Sequence, residues 1–242
     1  MKRISIIGLC FAAVLAFGLM AVSGASAAEW GTCLKVTTGT GKFEDSLCNT
    51  LKRAGNYEFK GLTEPIAVES LGELTLEDMS AGTRITCKGK DKGTVGPGAA
   101  DEITEIAAEE CKFVSGHAGS CTESDPVTAK AVHLPWDTEL VLPEGAGTMA
   151  RDDIKTSGAG TPGWSVECTV LGIFKIQDTC EGETSTLITV LHNLIDAEFD
   201  EEANANPATC SISKEKVGLV HGVDSIHPTH PSEEHLLTVG PL

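Results

Sequence analysis

Aromatic side chains are scarce in this 242-residue chain: it has one Tyr, three Trp and seven Phe. A core built without them rests on Val, Ile, Leu and Ala, and flat platforms for stacking on glycan reduce to Trp30, Tyr57, Trp136 and Trp164. Basic residues are scarce too, with 18 Lys plus Arg against 35 Asp plus Glu and a formal charge of −17. Such a field repels phosphate backbones and anionic lipid, so nucleic acid and membrane surfaces are excluded as partners of the mature chain.

Catalytic signatures are missing as well. There is no H-E-x-x-H, no phosphate-binding P-loop and no G-x-G-x-x-G after a strand. The nearest string to a nucleophile elbow, Gly163-Trp164-Ser165-Val166-Glu167, lacks the second glycine and falls on a predicted strand, where Ser165 simply faces outward. No two cysteines after the first 28 residues stand within eight positions of each other, which excludes the C-x2-C pairs of structural zinc sites. No cofactor motif is present.

What the chain does have begins at its N-terminus. Lys2 and Arg3 precede an apolar run, Ile4 to Val22, and then Ser23-Gly24-Ala25-Ser26-Ala27-Ala28, the order of a secretory signal peptide with cleavage after Ala27. A retained membrane anchor is the rival reading, since roughly 20 apolar residues can span a bilayer. Export is the expectation, to the extracellular space or the cell wall. Removing residues 1–27 takes two of the 18 basic residues and none of the 35 acidic ones, leaving a formal charge of −19. It also takes Cys10 and leaves eight cysteines, an even set that reads as disulfides in an oxidising compartment.

Strand-like alternation dominates the remainder. Trp164, Val166, Cys168 and Val170 share one face while Ser165, Glu167 and Thr169 share the other, and Ile85 with Cys87 and Leu74 with Leu76 repeat the pattern. Leu187 to Leu191 is apolar on both faces and reads as a central strand. Gly93 to Gly98, Pro143 to Gly147 and Ser157 to Gly163 are turn clusters. The expectation is an all-β, disulfide-stapled sandwich or barrel of many short antiparallel strands, preceded by a small N-terminal hairpin and the signal helix. Asp101 to Glu110 fits helix and strand equally, and the acidic stretch from Asp196 to Asn206, ending at Pro207, reads as a loop.

Three segments follow: the signal peptide (1–27), a disulfide-closed hairpin with its linker (28–60), and a main β domain (61–242) ending in a His/Pro-rich tail. In the hairpin, Trp30 to Val36 and Lys42 to Cys48 flank a turn and are tied by Cys33 and Cys48. A lone hairpin is barely stable in water, and closing a loop of this length contributes about 3 kcal/mol. Cys87 and Cys168, both mid-strand on apolar faces, are expected to bridge two packed sheets. Cys111 with Cys121 and Cys180 with Cys210 then close local loops, with a Cys168 to Cys180 link as the main rival.

A resemblance adds to this reading. His133-Leu134-Pro135-Trp136-Asp137-Thr138-Glu139-Leu140, Arg151-Asp152, Gly158 to Trp164, Val166 to Gly172 and Asp178-Thr179-Cys180 resemble a family of secreted, cysteine-containing, β-rich proteins of soil actinobacteria. Trp30-Gly31-Thr32-Cys33 and Ile85-Thr86-Cys87 are similar to it too. The resemblance implies an exported, cysteine-stapled β protein and carries no catalytic residues.

Two ligand sites compete with bland readings. His221, His227, His230 and His235, with Asp224, Glu233 and Glu234, offer zinc or copper ligands, but His227-Pro228-Thr229-His230-Pro231 cannot be helical and a solvated tail is the simpler reading. Asp196, Glu198, Asp200, Glu201 and Glu202 offer hard oxygens for Ca2+. The EF-hand pattern fails there, because Glu201 stands where its turn glycine belongs and Pro207 where its bidentate Glu belongs. The sequence reading is therefore an exported non-enzymatic module that presents a surface to a partner. A cation- or glycan-binding protein is the first alternative and a secreted hydrolase the second.

Overall fold

Two-residue alternation governs the whole described chain. The computed structural model describes residues 28–115, 121–122, 124–142, 149–191, 194–199, 205–229 and 237–240, and every named element among them is a strand. The expected signal helix, the Pro143 to Gly147 cluster, His230 and His235 lie outside these residues. The chain opens with β1 (Glu29–Lys35), β2 (Gly41–Phe43), β3 (Leu51–Gly55) and β4 (Tyr57–Gly61). Three long strands follow, β5 (Ile66–Asp78), β6 (Thr83–Val95) and β7 (Ala100–Ser115). Shorter ones come next: β8 (Val127–Val132), β9 (Trp136–Val141), β10 (Met149–Lys155), β11 (Gly163–Val170), β12 (Phe174–Glu181), β13 (Thr184–Leu191), β14 (Leu194–Phe199) and β15 (Ala208–Cys210). The long β16 (Lys216–Pro228) and the short β17 (Leu237–Gly240) close the chain.

The four long strands lie side by side in the order β16-β5-β6-β7, all antiparallel. Their length lets each half serve a different ring. At one end they continue through β9, β10, β13 and β14, and β14 returns to pair with β16, closing an eight-stranded barrel. At the other end β16 continues through β15, β12, β11 and β8, and β8 lies against β7 to complete a second ring. The β14–β16 pairing removes the unpaired edges that an open sheet would expose in the first ring.

The two rings are filled differently. The first holds Val68, Val95, Leu140, Ala150, Ile188, Val190, Ile195 and Ala197, and its core continues into Trp30, Leu237 and Val239 of a separate five-stranded sheet, β17-β1-β4-β2-β3, which covers that end. The second holds Leu76, Ile85, Phe113, Ala129, Trp164 and Val166 together with five buried cysteines. Three of the four disulfides thus staple the second barrel.

Sequence expectations fare unevenly here. Trp164, Val166 and Cys168 point inward as alternation requires, and β13 is central, between β10 and β14. Residues 101–110 are strand, because β7 pairs on both sides and that pairing outweighs the helical propensity of its Ala and Glu residues. Cys33–Cys48 and Cys180–Cys210 form as expected, the latter a directly opposed pair of β12 and β15.

The other two pairings are corrected to Cys87–Cys111 and Cys121–Cys168. A bulge is the cause: the β6–β7 ladder skips between Thr86 and Lys88, with Glu110 at φ 48°, so that Cys111 is delivered opposite Cys87 with their Cα atoms 4.0 Å apart.

The N-terminal segment is corrected too. Its first strand does not form a hairpin with the second; β1 pairs with β4 and β17, and the expected linker contributes β3 and β4. The segment 216–228 is strand, not tail, and Asp196 to Phe199 lies within β14, not in a loop. Because β17 pairs with β1, the two ends of the chain complete one sheet across the expected boundary at residue 60.

Candidate functional site

The same alternation that builds the first barrel carries charged groups into it. Asp91 follows Ile85, Cys87 and Gly89 on the inner face of β6, and Asp152 stands between Ala150 and Ile154 on that of β10. Asp224 on β16 and Asp101 on β7 join them. All four line one chamber of about 70 Å³ with Ser70, Thr186 and apolar neighbours. Asp152 is 7% exposed and Asp224, Thr138 and Thr186 are each 4% exposed. Unpaired charges are almost never held so deep.

The carboxyls form two pairs. Asp101 sits directly across the β7–β9 ladder from Thr138 and faces Asp152 at hydrogen-bonding range. The Thr138 hydroxyl and the Trp30 indole N–H approach this pair, yet Thr138 Oγ1, Asp152 Oδ1, Asp101 Oδ1 and Trp30 Nε1 complete no hydrogen bond. Asp91 and Asp224 face each other on neighbouring walls, where Ser70 reaches Asp91 and Asp224 Oδ1 is again without a partner.

Gly72 and Gly89, opposed on β5 and β6, make the room. A Cβ at Gly72 would fall inside contact distance of Asp224 Oδ1 and the Val223 carbonyl, and one at Gly89 would lie 3.9 Å from Asp224 Oδ1 and 4.0 Å from Asp91 Oδ1.

Burial sets the electrostatics. It pushes the Asp91 carboxyl up to about 8, with the Asp224 charge adding to the effect. It pushes Asp101 to about 7 against the opposing help of Thr138, and Asp224 to about 6. Asp152 is raised well above the carboxylate range, first by burial and then by the charge of Asp101. Among the residues lining the chamber the one cationic side chain is Lys92, whose Nζ is spent on Glu105 2.9 Å away at the surface. Shared protons or a bound cation are the ways to neutralise such a layer.

A second polar cluster lies in the other barrel. Asp78, Asp178, Cys180 and Cys210 present atoms within 4.8 Å of one another, the one such group of three or more among the described residues. Asp78 Oδ1 accepts the N–H groups of Ser80 and Ala81, and Asp178 Oδ1 accepts from the Ser211 hydroxyl and the Ile212 N–H. The two sulfurs are consumed in their disulfide, which leaves two carboxylate oxygens, too few to hold an ion.

Of the ligands read from sequence, those among the described residues are not brought together, while His230, His235 and the acids at 200–202 and 233–234 lie outside the described residues. His221 and His227 lie on the face of β16 opposite to Asp224 and six residues apart, roughly 20 Å along the strand. Asp196 accepts the Ser225 hydroxyl at 2.6 Å across the β14–β16 ladder, a structural role. Trp136 is half-buried, donates its N–H to the Val132 carbonyl, and lines an apolar cavity of about 100 Å³ between the two barrels. Ser165 accepts from Thr179 and Gln177 and has no histidine partner among its hydrogen bonds.

The aspartate layer was missed, although a signal existed: Ala150-x-Asp152-x-Ile154 places an acid in phase with apolar residues. No protein-family model, curated protein or solved structure matches this chain.

Proposed function

We propose that this chain is an exported, non-enzymatic β module that works outside the cytoplasm, free or wall-associated, and presents a stable surface to a partner. The observation that carries the reading is covalent: all eight cysteines beyond the leader-like segment are joined in four disulfides, which persist in oxidising compartments. Among the described residues no helix is long and apolar enough to cross a membrane.

A surface suited to contact exists at the β11–β12 turn. Leu171, Ile173 and Phe174 are 80%, 73% and 61% exposed around Gly172 at φ 72°. Three large apolar groups at one projecting tip are more than scattered surface hydrophobes. N-terminal sequencing and thiol titration of natively produced protein test the reading. It requires a chain starting at residue 28 or 29 with no free thiol; an intact leader with free thiols removes it.

A further inference from the structure

We infer that the chamber of the first barrel is a binding site for one hard divalent cation of the size of Ca2+, held by Asp101, Asp152 and the hydroxyl of Thr138. The inference goes beyond the export reading and stands or falls separately from it.

Three observations converge. The donors are all oxygen, which selects hard cations over zinc or copper. They come from three neighbouring strands, β7, β10 and β9, whose register fixes them: Asp101 opposite Thr138, and Asp152 next along opposite Leu140. Finally, the hydroxyl is itself an orphan. Thr138 is 4% exposed and its Oγ1 has no hydrogen-bond partner, although it approaches both carboxyls. The two carboxyls are the groups beside this buried hydroxyl and it meets neither in good hydrogen-bond geometry, so a cation between it and the two carboxylates satisfies all three groups together.

The coordination count is feasible. Asp152 through both oxygens, Asp101 through one and the Thr138 hydroxyl supply up to four oxygens, and Ca2+ takes six to eight, the balance being water. The chamber of about 70 Å³ has room for that water. Asp91 and Asp224 lie on its other wall, where they add negative potential and accept hydrogen bonds from bound water; no three of the four carboxylates are close enough to share one ion directly. The Trp30 N–H, directed at Asp101, is placed to hold the carboxylate oxygen turned away from the ion.

The test uses the mature, disulfide-intact protein dialysed against EDTA and titrated with CaCl2 by calorimetry at pH 7.5, with thermal unfolding in parallel. One saturable site is expected, with an upward shift of the unfolding temperature on adding Ca2+. Asp152→Asn should weaken binding at least tenfold. Thr138→Val, which keeps shape and removes one oxygen, should weaken it several-fold while leaving the circular dichroism spectrum unchanged, so a folding failure of the first variant does not decide the matter. No saturable heat in the parent protein overturns the inference. Binding of equal affinity in a folded Thr138→Val protein and a folded Asp152→Asn protein also overturns it, because the ion then sits on the acidic surface.

Discussion

Replacing Asp152 with Asn should change how stability depends on pH, and the size of the change follows from burial. In the absence of metal, the folded protein holds protons on Asp101 and Asp152 at pH values where the unfolded chain has lost them, because both carboxyls are raised in the fold. Stability is then fully present below the unfolded value near 4 and is lost as pH rises through the folded one, about 7 for Asp101. Roughly two of the three units by which Asp101 is shifted fall between pH 5 and pH 8, on the order of 3 kcal/mol and a fall of about 8 °C in the unfolding temperature of a chain this size. Asp91 and Asp224, pushed up to about 8 and about 6, add to the same downward slope, whereas Asp45, lowered because its hydrogen bonds to Asn49, Thr50 and Leu47 outweigh its burial, acts below pH 4. An amide at 152 removes one ionisation and donates to Asp101, so the variant should lose the part of the slope that this pair contributes, keep the part from Asp91 and Asp224, and exceed the parent in stability at pH 8. Guanidinium unfolding in EDTA at pH 5, 6, 7 and 8, followed by circular dichroism, measures both. A parent protein whose stability is flat or rising over that range, or an unchanged slope in the variant, refutes the reasoning.

Other consequences can be measured on the same material. Gly72→Ala drives a methyl into the Val223 carbonyl and Asp224 and should cost about 1–3 kcal/mol in denaturant unfolding, with no relief from Asp224→Ala because the carbonyl remains. Removing the Cys180–Cys210 bridge by a double Ala substitution opens a loop of 30 residues and should lower stability by about 4 kcal/mol, read as an earlier guanidinium midpoint. Asp45→Ala strips an acceptor from the N–H groups of Leu47, Asn49 and Thr50 and should cost about 2–3 kcal/mol. Serine at Leu171, Ile173 and Phe174 together should leave the unfolding temperature within about 2 °C, since the tip is solvated, while reducing retention on a hydrophobic-interaction column.

Much of this architecture is legible in the chain because strands announce themselves by alternation. Trp164-x-Val166-x-Cys168 and Ile85-x-Cys87 give inward faces correctly, and a sandwich or barrel follows from many such runs. Partnership between strands is another matter. Cys87 and Cys168 do share the core of the second barrel, but which strand lies beside which depends on a bulge at Glu110 that no local pattern marks. The N-terminal fold escaped for the same reason: β1 finds its partner more than 200 residues away in β17. Density of charge along the chain and convergence of charge in the fold are different things. Histidines near the C-terminus and clustered acids at 196–202 stand out in the sequence, yet His221 and His227 are spread along an outer face, while the converging groups are single aspartates on separate strands. The β7-β9-β10 register brings Asp101, Thr138 and Asp152 together, and no local pattern marks which strands are neighbours.

The covalent frame is the most direct thing to measure. Digestion of the unreduced, natively exported protein followed by mass spectrometry of the linked peptides should give Cys33 with Cys48, Cys87 with Cys111, Cys121 with Cys168 and Cys180 with Cys210. Recovery of Cys87 linked to Cys168, or of free thiols at any of these eight positions, would contradict the two-barrel account.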